Sequence, residues 1–234
     1  MLGRAGRGNR IPAVWLDGSS SNRAIAPTIV VHPDGFPWVL TSARSAGGLV
    51  KGILDRGGAV LAIDPFQTGS AKAPRERGKR AFTVFNQTDD ANRVQDILTA
   101  IAYVRKRTGG LPLNLVGLEA AGLWCYFARA LAGPGIDLAA DLAQFRTEAD
   151  EEYLARLDIP GIGRAGDFRA AGILSTQGRL LAHNVGSDFP TDWVRRSAEF
   201  AGLAAEIRRT RATDAELLTW LAAEPAGRTS RRRE

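Results

Sequence analysis

Short continuous apolar runs alternate along this chain with longer stretches in which apolar residues recur at helical spacing. A continuous run of this length is typical of a strand that is buried on both faces of a sheet. We expect six such strands, at residues 28–31, 59–63, 113–116, 138–142, 179–185 and 203–207; a further short apolar run spans residues 11–16. The alternation predicts an α/β fold, with a mostly parallel sheet covered by helices on both faces.

The helical stretches are bounded by capping residues and glycines. We expect six helices. They span residues 49–54, residues 88 or 89 to 107, the stretch from the turn at 117–122 to about residue 132, and residues 167–174, 191–200 and 213–221. Thr191 would be the cap of the fifth. Thr213 and Glu216 have the spacing of a capping box at the start of the last helix. Residues 66–82 are expected to form an exposed loop, and residues 144–166 are expected to be irregular.

The most informative segment follows the apolar run 113–116 and reads Gly-Leu-Glu-Ala-Ala-Gly at residues 117–122. A buried strand that enters a tight turn of small residues and then a helix has the context of a nucleophile elbow. Small neighbours are needed because the central residue of that turn adopts a strained, exposed backbone conformation. An active serine hydrolase of this type would have Ser, Cys or Asp at the centre, and this chain has Glu119.

Composition limits the class of protein. The 234 residues suit one large domain, and 44% hydrophobic residues suffice for a packed core. No apolar run approaches the 18 residues of a membrane span, and residues 1–10 lack the apolar region of a signal peptide. We therefore expect no membrane contact and, by default, a cytoplasmic location. The single cysteine, Cys125, lies in an apolar helical pattern, which favours a core residue over a reactive thiol.

The net charge of +6 is concentrated at the two ends of the chain. We expect residues 1–10 and 226–234 to be flexible basic tails on either side of a single domain at 11–225. Basic tails can hold a polyanion loosely. Solubility without a specific partner is the simpler interpretation, and we do not expect nucleic acid as a partner.

Three segments resemble bacterial proteins of the acetyl-xylan-esterase and dienelactone-hydrolase type in the α/β-hydrolase superfamily. Residues 85–100 resemble the helix before the elbow in those proteins, residues 62–69 resemble their "D-x-x-G-x-G" stretch, and residues 160–167 are also similar. The resemblance covers about residues 25–225. It implies an α/β-hydrolase fold and a relation to carboxylic ester hydrolases, with a small ester or carbohydrate ester as ligand and no cofactor.

The resemblance also implies a triad of nucleophile, histidine and acid, which this chain does not have intact. The histidine of the family follows the last strand, and residues 208–214 contain none. The candidate catalytic residues are therefore Glu119 at the elbow, His183 as a displaced base and Asp188 as its orienting acid. Asp192 is a second candidate for the acid.

Each candidate has a structural interpretation beside the catalytic one. Glu119 is either a nucleophile or a hydrogen-bonded residue in a relic site, and His183 is either a base or a core histidine. His32 and Gly35, together with Ala120, are candidates for an oxyanion hole, although His32 also suits a structural turn.

We find no metal-ligand spacing. The G-x-G-x-x-G letters of residues 161–166 follow no strand and are interpreted as a loop.

The sequence thus predicts an α/β-hydrolase-fold domain that lacks normal serine-hydrolase activity and serves as a companion or binding domain. A second hydrolase domain or a second copy of the chain is the expected partner. Two alternatives stay open: an active carboxylesterase or acetyl esterase with a rearranged site, and a basic binding protein that acts through its tails.

Overall fold

The computed structural model describes residues 1–18, 24–77, 82–175, 178–203 and 205–223, and seven strands of these residues form one sheet. The strands are β1 (Ala13–Leu16), β2 (Thr28–Val31), β3 (Val60–Ile63), β4 (Leu113–Gly117), β5 (Ile136–Asp141), β6 (Leu180–His183) and β7 (Ala205–Ile207). Their order is β1-β3-β2-β4-β5-β6-β7. Among the pairings of these seven described strands, β1–β3 alone is antiparallel, so the predicted mostly parallel sheet is confirmed.

Helices cover both faces of this sheet. They are α1 (Phe36–Arg44), α2 (Leu49–Asp55), α3 (Phe82–Phe85), α4 (Asp89–Arg107), α5 (Ala121–Ala132), α6 (Asp150–Arg156), α7 (Asp167–Ser175), α8 (Thr191–Phe200) and α9 (Asp214–Ala222). One apolar core lies between the sheet and α4, α5 and α7. A second, smaller core lies on the opposite face, against α1, α2 and α9. No helix of the described residues is long and apolar enough to span a membrane.

The structure departs from the sequence prediction at a few elements. Helix α1 was not expected, because it begins with Phe36-Pro37 and has no side-chain cap on the Gly35 backbone. Helix α6 lies inside the stretch that was expected to be irregular, and its three acidic residues form its first turn. Thr191 lies in the first turn of α8 rather than at its cap, which is Pro190. The 161–166 segment is a series of turns, as predicted.

Residues 1–10, for which the sequence predicts a flexible basic tail, contact the domain through Leu2. Leu2 and Ile11 exchange both backbone hydrogen bonds at 2.8 Å, and Leu2 packs against the larger core. Asn9 closes the intervening turn because its side-chain oxygen accepts the Arg4 N–H. The second expected tail, at 226–234, lies outside the described residues.

Helix α9 is fixed at its N-terminus by two sets of contacts. The capping box is present: the Thr213 hydroxyl accepts the Glu216 N–H, and the Glu216 carboxylate accepts the Thr213 N–H. Asp214 then accepts the N–H of Leu49, the first residue of α2, at 2.9 Å. Because Gly48 offers no side-chain cap to α2, Asp214 satisfies an N–H that would otherwise be unpaired.

Candidate functional site

Glu119 lies at the centre of a sharp turn between β4 and α5, as the sequence predicts. Its φ of 50° is in the left-handed region, where a residue with a Cβ is strained. The turn requires small neighbours, because a Cβ on Gly122 would lie 1.9 Å from the carbonyl oxygen of Asp141. A Cβ on Gly117 would lie 2.6 Å from the Gly122 Cα. The two glycines therefore let β4, the turn and β5 approach closely.

Left-handed residues other than glycine gather at this edge of the sheet. Ala143 and Gln144 follow β5 with φ of 49° and 54°, and Asn184 follows β6 with φ of 54°. Together with Glu119 they lie within three residues of the carboxyl ends of three adjacent strands. Such backbone strain concentrates at functional sites, and ligands of open α/β sheets bind beyond the same strand ends.

Arg211 connects Glu119 to a buried carboxylate. Its Nη2 donates to the Glu119 Oε1 at 3.3 Å, and its Nε lies 3.2 Å from the Oδ2 of Asp141. Asp141 is buried, and its Oδ1 accepts the Ala143 N–H and the Asn184 side-chain amide. The result is a carboxylate–guanidinium–carboxylate arrangement that runs from the elbow to the end of β5.

Sequence reasoning identified Glu119 and missed its partners Arg211 and Asp141. Arg211 lies in the segment after β7, where the resemblance expects a histidine, and a search for titratable bases passes over an arginine. Asp141 ends a predicted strand, so the signal that could have found it is a carboxylate at the carboxyl end of a strand adjacent to the elbow strand.

His32 lies beside the elbow, with its Nε2 3.8 Å from the Glu119 Oε2. The ring is buried and stacks on Trp38 at a centroid distance of 4.4 Å. Its Nδ1 accepts the Asp34 N–H, so the proton of the neutral ring resides on Nε2. Burial lowers the pKa of His32, although Glu119 and Asp34 oppose that effect. A neutral His32 therefore presents an N–H, and not a lone pair, to Glu119.

His183 is buried in β6, next to Asp141 of β5 in the strand pairing. Its Nδ1 accepts the Ala212 N–H at 3.2 Å, which again leaves the proton of the neutral ring on Nε2. That Nε2 has no hydrogen-bond partner among the described residues. Burial lowers the pKa of His183, and Asp141 opposes that effect. The ring thus positions the segment that carries Arg211, one residue before Ala212.

Asp188 is engaged away from the elbow. One of its carboxylate oxygens accepts the Thr147 N–H and the other accepts the Glu148 N–H, each at 3.0 Å. Within the part of the chain that the structure describes, no hydrogen bond or ion pair joins Asp188 to His183. Asp188 therefore anchors the loop after β5, because two backbone donors point at its carboxylate.

Two of the oxyanion-hole candidates, Gly35 and Ala120, differ in what their backbone N–H groups do. The Gly35 N–H donates to the His32 carbonyl at 2.9 Å, so it is already paired. The next N–H, of Phe36, donates to the buried Asp64. The Ala120 N–H, at the start of α5, has no partner among the described residues. Ala120 therefore keeps an open amide next to Glu119.

The single cysteine lies in the larger core, as its apolar helical pattern predicts. Cys125 is fully buried, and burial raises the pKa of its thiol far above the usual range. In residues 1–223, apart from the stretches left undescribed, no group of three or more His, Cys, Asp or Glu side chains is arranged to hold a metal ion.

The sheet order, the antiparallel first strand and the strand–turn–helix at Glu119 define an α/β-hydrolase fold. Three solved structures of that class are similar to this chain over nearly its whole length. They are the esterase Est1E from Butyrivibrio proteoclasticus bound to ferulic acid (11% identity, 91% of this chain and 92% of that one, TM-score 0.56), an esterase from Pyrococcus furiosus (13%, 91% and 83%, 0.59), and a protein described as a dienelactone hydrolase from Klebsiella pneumoniae (12%, 91% and 90%, 0.51).

The chain is also similar to an acylaminoacyl peptidase, of which it covers 38%, at 10% identity and a TM-score of 0.54. No protein-family model matches the chain, and no curated protein matches it in sequence.

Proposed function

We propose that this chain is a non-hydrolytic α/β-hydrolase-fold domain, in which the elbow serves binding rather than ester cleavage. The observation that carries the proposal is the ion pair between Glu119 and Arg211. The two residues occupy the turn and the segment after the last strand, where the related enzymes have their nucleophile and their histidine.

Arginine cannot perform the task of a histidine at this position. A general base must accept a proton from the nucleophile or from water, and a guanidinium group has only donors. Arg211 also occupies one oxygen of the carboxylate that would have to attack an ester. The arrangement holds Glu119 in place and removes the acid–base step that turnover requires.

Neither histidine supplies the missing base. In both rings Nδ1 accepts a backbone N–H, so the neutral ring has no free lone pair at Nε2. His183 is in addition buried, and its ring is hydrogen-bonded to Ala212, the residue that follows Arg211. A base at the elbow would therefore require one of these backbone hydrogen bonds to break.

The remaining chemistry of the elbow suits recognition. The mouth presents a half-exposed carboxylate and a half-exposed guanidinium, with the Ala120 N–H open beside them. Such donors and acceptors can bind a polar ester or a carbohydrate ester without cleaving it. A second domain of the same fold, or a second copy of the chain, is the partner that we propose for such a companion role.

Hydrolysis of p-nitrophenyl acetate by the purified full chain tests the proposal. We expect the rate to equal that of the Glu119→Ala variant, because the wild-type site lacks a base. A serine-directed fluorophosphonate should label neither protein. Wild-type turnover that disappears in Glu119→Ala would contradict the proposal.

A gain-of-function series provides the sharper test. Glu119→Ser alone should stay inactive, because Arg211 cannot accept its proton. The double variant Glu119→Ser/Arg211→His should gain hydrolysis, because Asp141 lies beside position 211 and can orient an imidazole there. Glu119→Ser/Arg209→His is the matched control and should stay inactive. An equal gain in the two double variants would show that position 211 is not the base position.

A second candidate function is an active esterase with a rearranged site. It is favoured by the 3.8 Å approach of His32 to Glu119, and it requires the hydrogen bond from the Asp34 N–H to the His32 Nδ1 to break, so that Nε2 can act as the base that activates water. His32→Ala distinguishes the two functions. If the chain is an esterase, the variant loses the turnover that the wild type shows. If the chain is a non-hydrolytic domain, neither the wild type nor the variant shows turnover.

A further inference from the structure

A cavity of about 610 Å³ lies at the far end of the sheet, between α8 and the segments that follow β6 and β7. Its floor contains three buried apolar side chains, Val185, Phe189 and Ile207. Its rim carries Arg169, Arg195, Arg196 and Arg209 together with the half-exposed Trp193. We call it the arginine-rimmed cavity. Glu119, His32 and Arg211 do not line it, so it is separate from the elbow.

The guanidinium groups of the rim are incompletely neutralised. Arg169 lies 3.3 Å from Asp167 and 3.6 Å from Glu148. Arg195 and Arg209, by contrast, donate to backbone carbonyl oxygens, of Ile207 and Ser187.

The side chain of Arg196 has no hydrogen bond or ion pair with any residue that the structure describes. Asp192 is the one carboxylate in the lining. Three arginines against one aspartate leave an excess of about two positive charges.

We propose that the arginine-rimmed cavity binds a phosphate monoester that carries a planar ring. Guanidinium groups match the geometry of phosphate oxygens and bind them through paired hydrogen bonds. A phosphate monoester has close to two negative charges at neutral pH, which complements the excess charge of the rim. The buried floor and Trp193 offer an apolar surface to the ring of the ligand, and the volume is in the range of small-molecule sites.

Titration calorimetry of the full chain with phenyl phosphate tests the proposal, with inorganic phosphate and phenol as the two partial ligands. We expect phenyl phosphate to bind more tightly than either, because each lacks half of the matched chemistry. The affinity should fall as salt is added, since the rim is exposed. Phenol binding as tightly as phenyl phosphate would overturn the proposal.

Arg196→Ala is the informative variant, because the side chain makes no hydrogen bond or ion pair with a described residue whose loss would disturb the fold. We expect it to weaken phenyl phosphate binding about tenfold, as for a charge-assisted hydrogen bond. Asp192→Asn should strengthen binding several-fold because it removes the opposing charge. Arg44→Ala, an exposed arginine of α1 outside the cavity, is the control and should leave the affinity unchanged. Equal losses in Arg196→Ala and Arg44→Ala would overturn the proposal.

Two further binding measurements identify the class of ligand and test whether the arginines at residues 228–233 contribute to binding. Adenosine monophosphate in place of phenyl phosphate assigns the ring: tighter binding indicates a nucleotide, and weaker binding indicates a smaller aryl ester. Replacement of Arg228, Arg231, Arg232 and Arg233 by Ala should leave the affinity within twofold. Loss of binding in that variant alone would overturn the cavity as the site.

Discussion

At the scale of single residues, the sequence predicts the backbone conformation of the elbow but not the contacts of its side chains. Small residues around Glu119 predict a strained turn because only they permit the close approach of β4 and β5. The partners of Glu119 were not predictable. Arg211 is 92 residues away in sequence, and its position beside Glu119 depends on where the last strand ends. The direction of the His183 ring was likewise not predictable, because it is set by the N–H of Ala212, 29 positions away.

The strain at the carboxyl ends of the strands has a measurable cost. Ala143 has a φ of 49° and no side chain beyond Cβ, so Ala143→Gly relieves the left-handed strain at the loss of a single methyl group. We expect the free energy of unfolding in urea to rise by about 0.5–1 kcal/mol. Ala102→Gly, at an exposed position inside α4, is the same chemical change and should lower it by about 1 kcal/mol. Two changes of the same sign would refute the assignment of strain to Ala143.

At the scale of elements, the sequence predicted those helices and strands whose boundaries carry a local signal. The strand at β2 matches its predicted bounds because a β-branched run ends at a Pro-Asp-Gly turn. Helix α1 was missed because its start has no polar cap. The antiparallel pairing of β1 was not predictable either, since pairing direction depends on the path of the chain between strands.

The capping box of α9 is the element whose energetic contribution is easiest to isolate. Thr213→Ala removes the hydroxyl that accepts the Glu216 N–H, so we expect the free energy of unfolding to fall by about 1 kcal/mol. Thr213→Ser retains the hydroxyl and should stay within about 0.3 kcal/mol of the wild type. Urea denaturation of both variants is the measurement. Equal losses in the two would mean that the methyl group of Thr213, and not its capping hydroxyl, contributes the stability.

At the scale of the whole molecule, one buried carboxylate joins separate parts of the fold. Asp96 of α4 is buried and accepts the N–H of Phe66, which follows β3. Burial raises the pKa of Asp96 from 3.8 to about 6, although the Phe66 N–H and Arg4 oppose the effect. Because the folded-state pKa is the higher one, this group destabilises the fold progressively as the pH rises from about 4 to about 6.

Asp96→Asn should therefore stabilise the protein at neutral pH and not in acid. We expect a gain of about 1–3 kcal/mol at pH 7.5 that declines toward zero at pH 4, because the wild-type carboxyl is then protonated in both states. Urea denaturation across this pH range is the measurement. Asp150→Asn, an exposed change of the same charge, should alter the stability by less than about 0.5 kcal/mol. A gain at pH 4 as large as at pH 7.5 would contradict the interpretation.

The contact between Asp214 and Leu49 has a consequence for biosynthesis. The two residues are 165 positions apart, so α2 leaves the ribosome long before the helix that covers it. Until residues 214–222 emerge, Val50 and Ile53 lack Leu217 and Leu218, their partners in the smaller core. A nascent chain that contains α2 and not yet α9 thus carries an uncovered apolar surface. During that interval the exposed apolar residues favour aggregation, and a chaperone that binds them would prevent it.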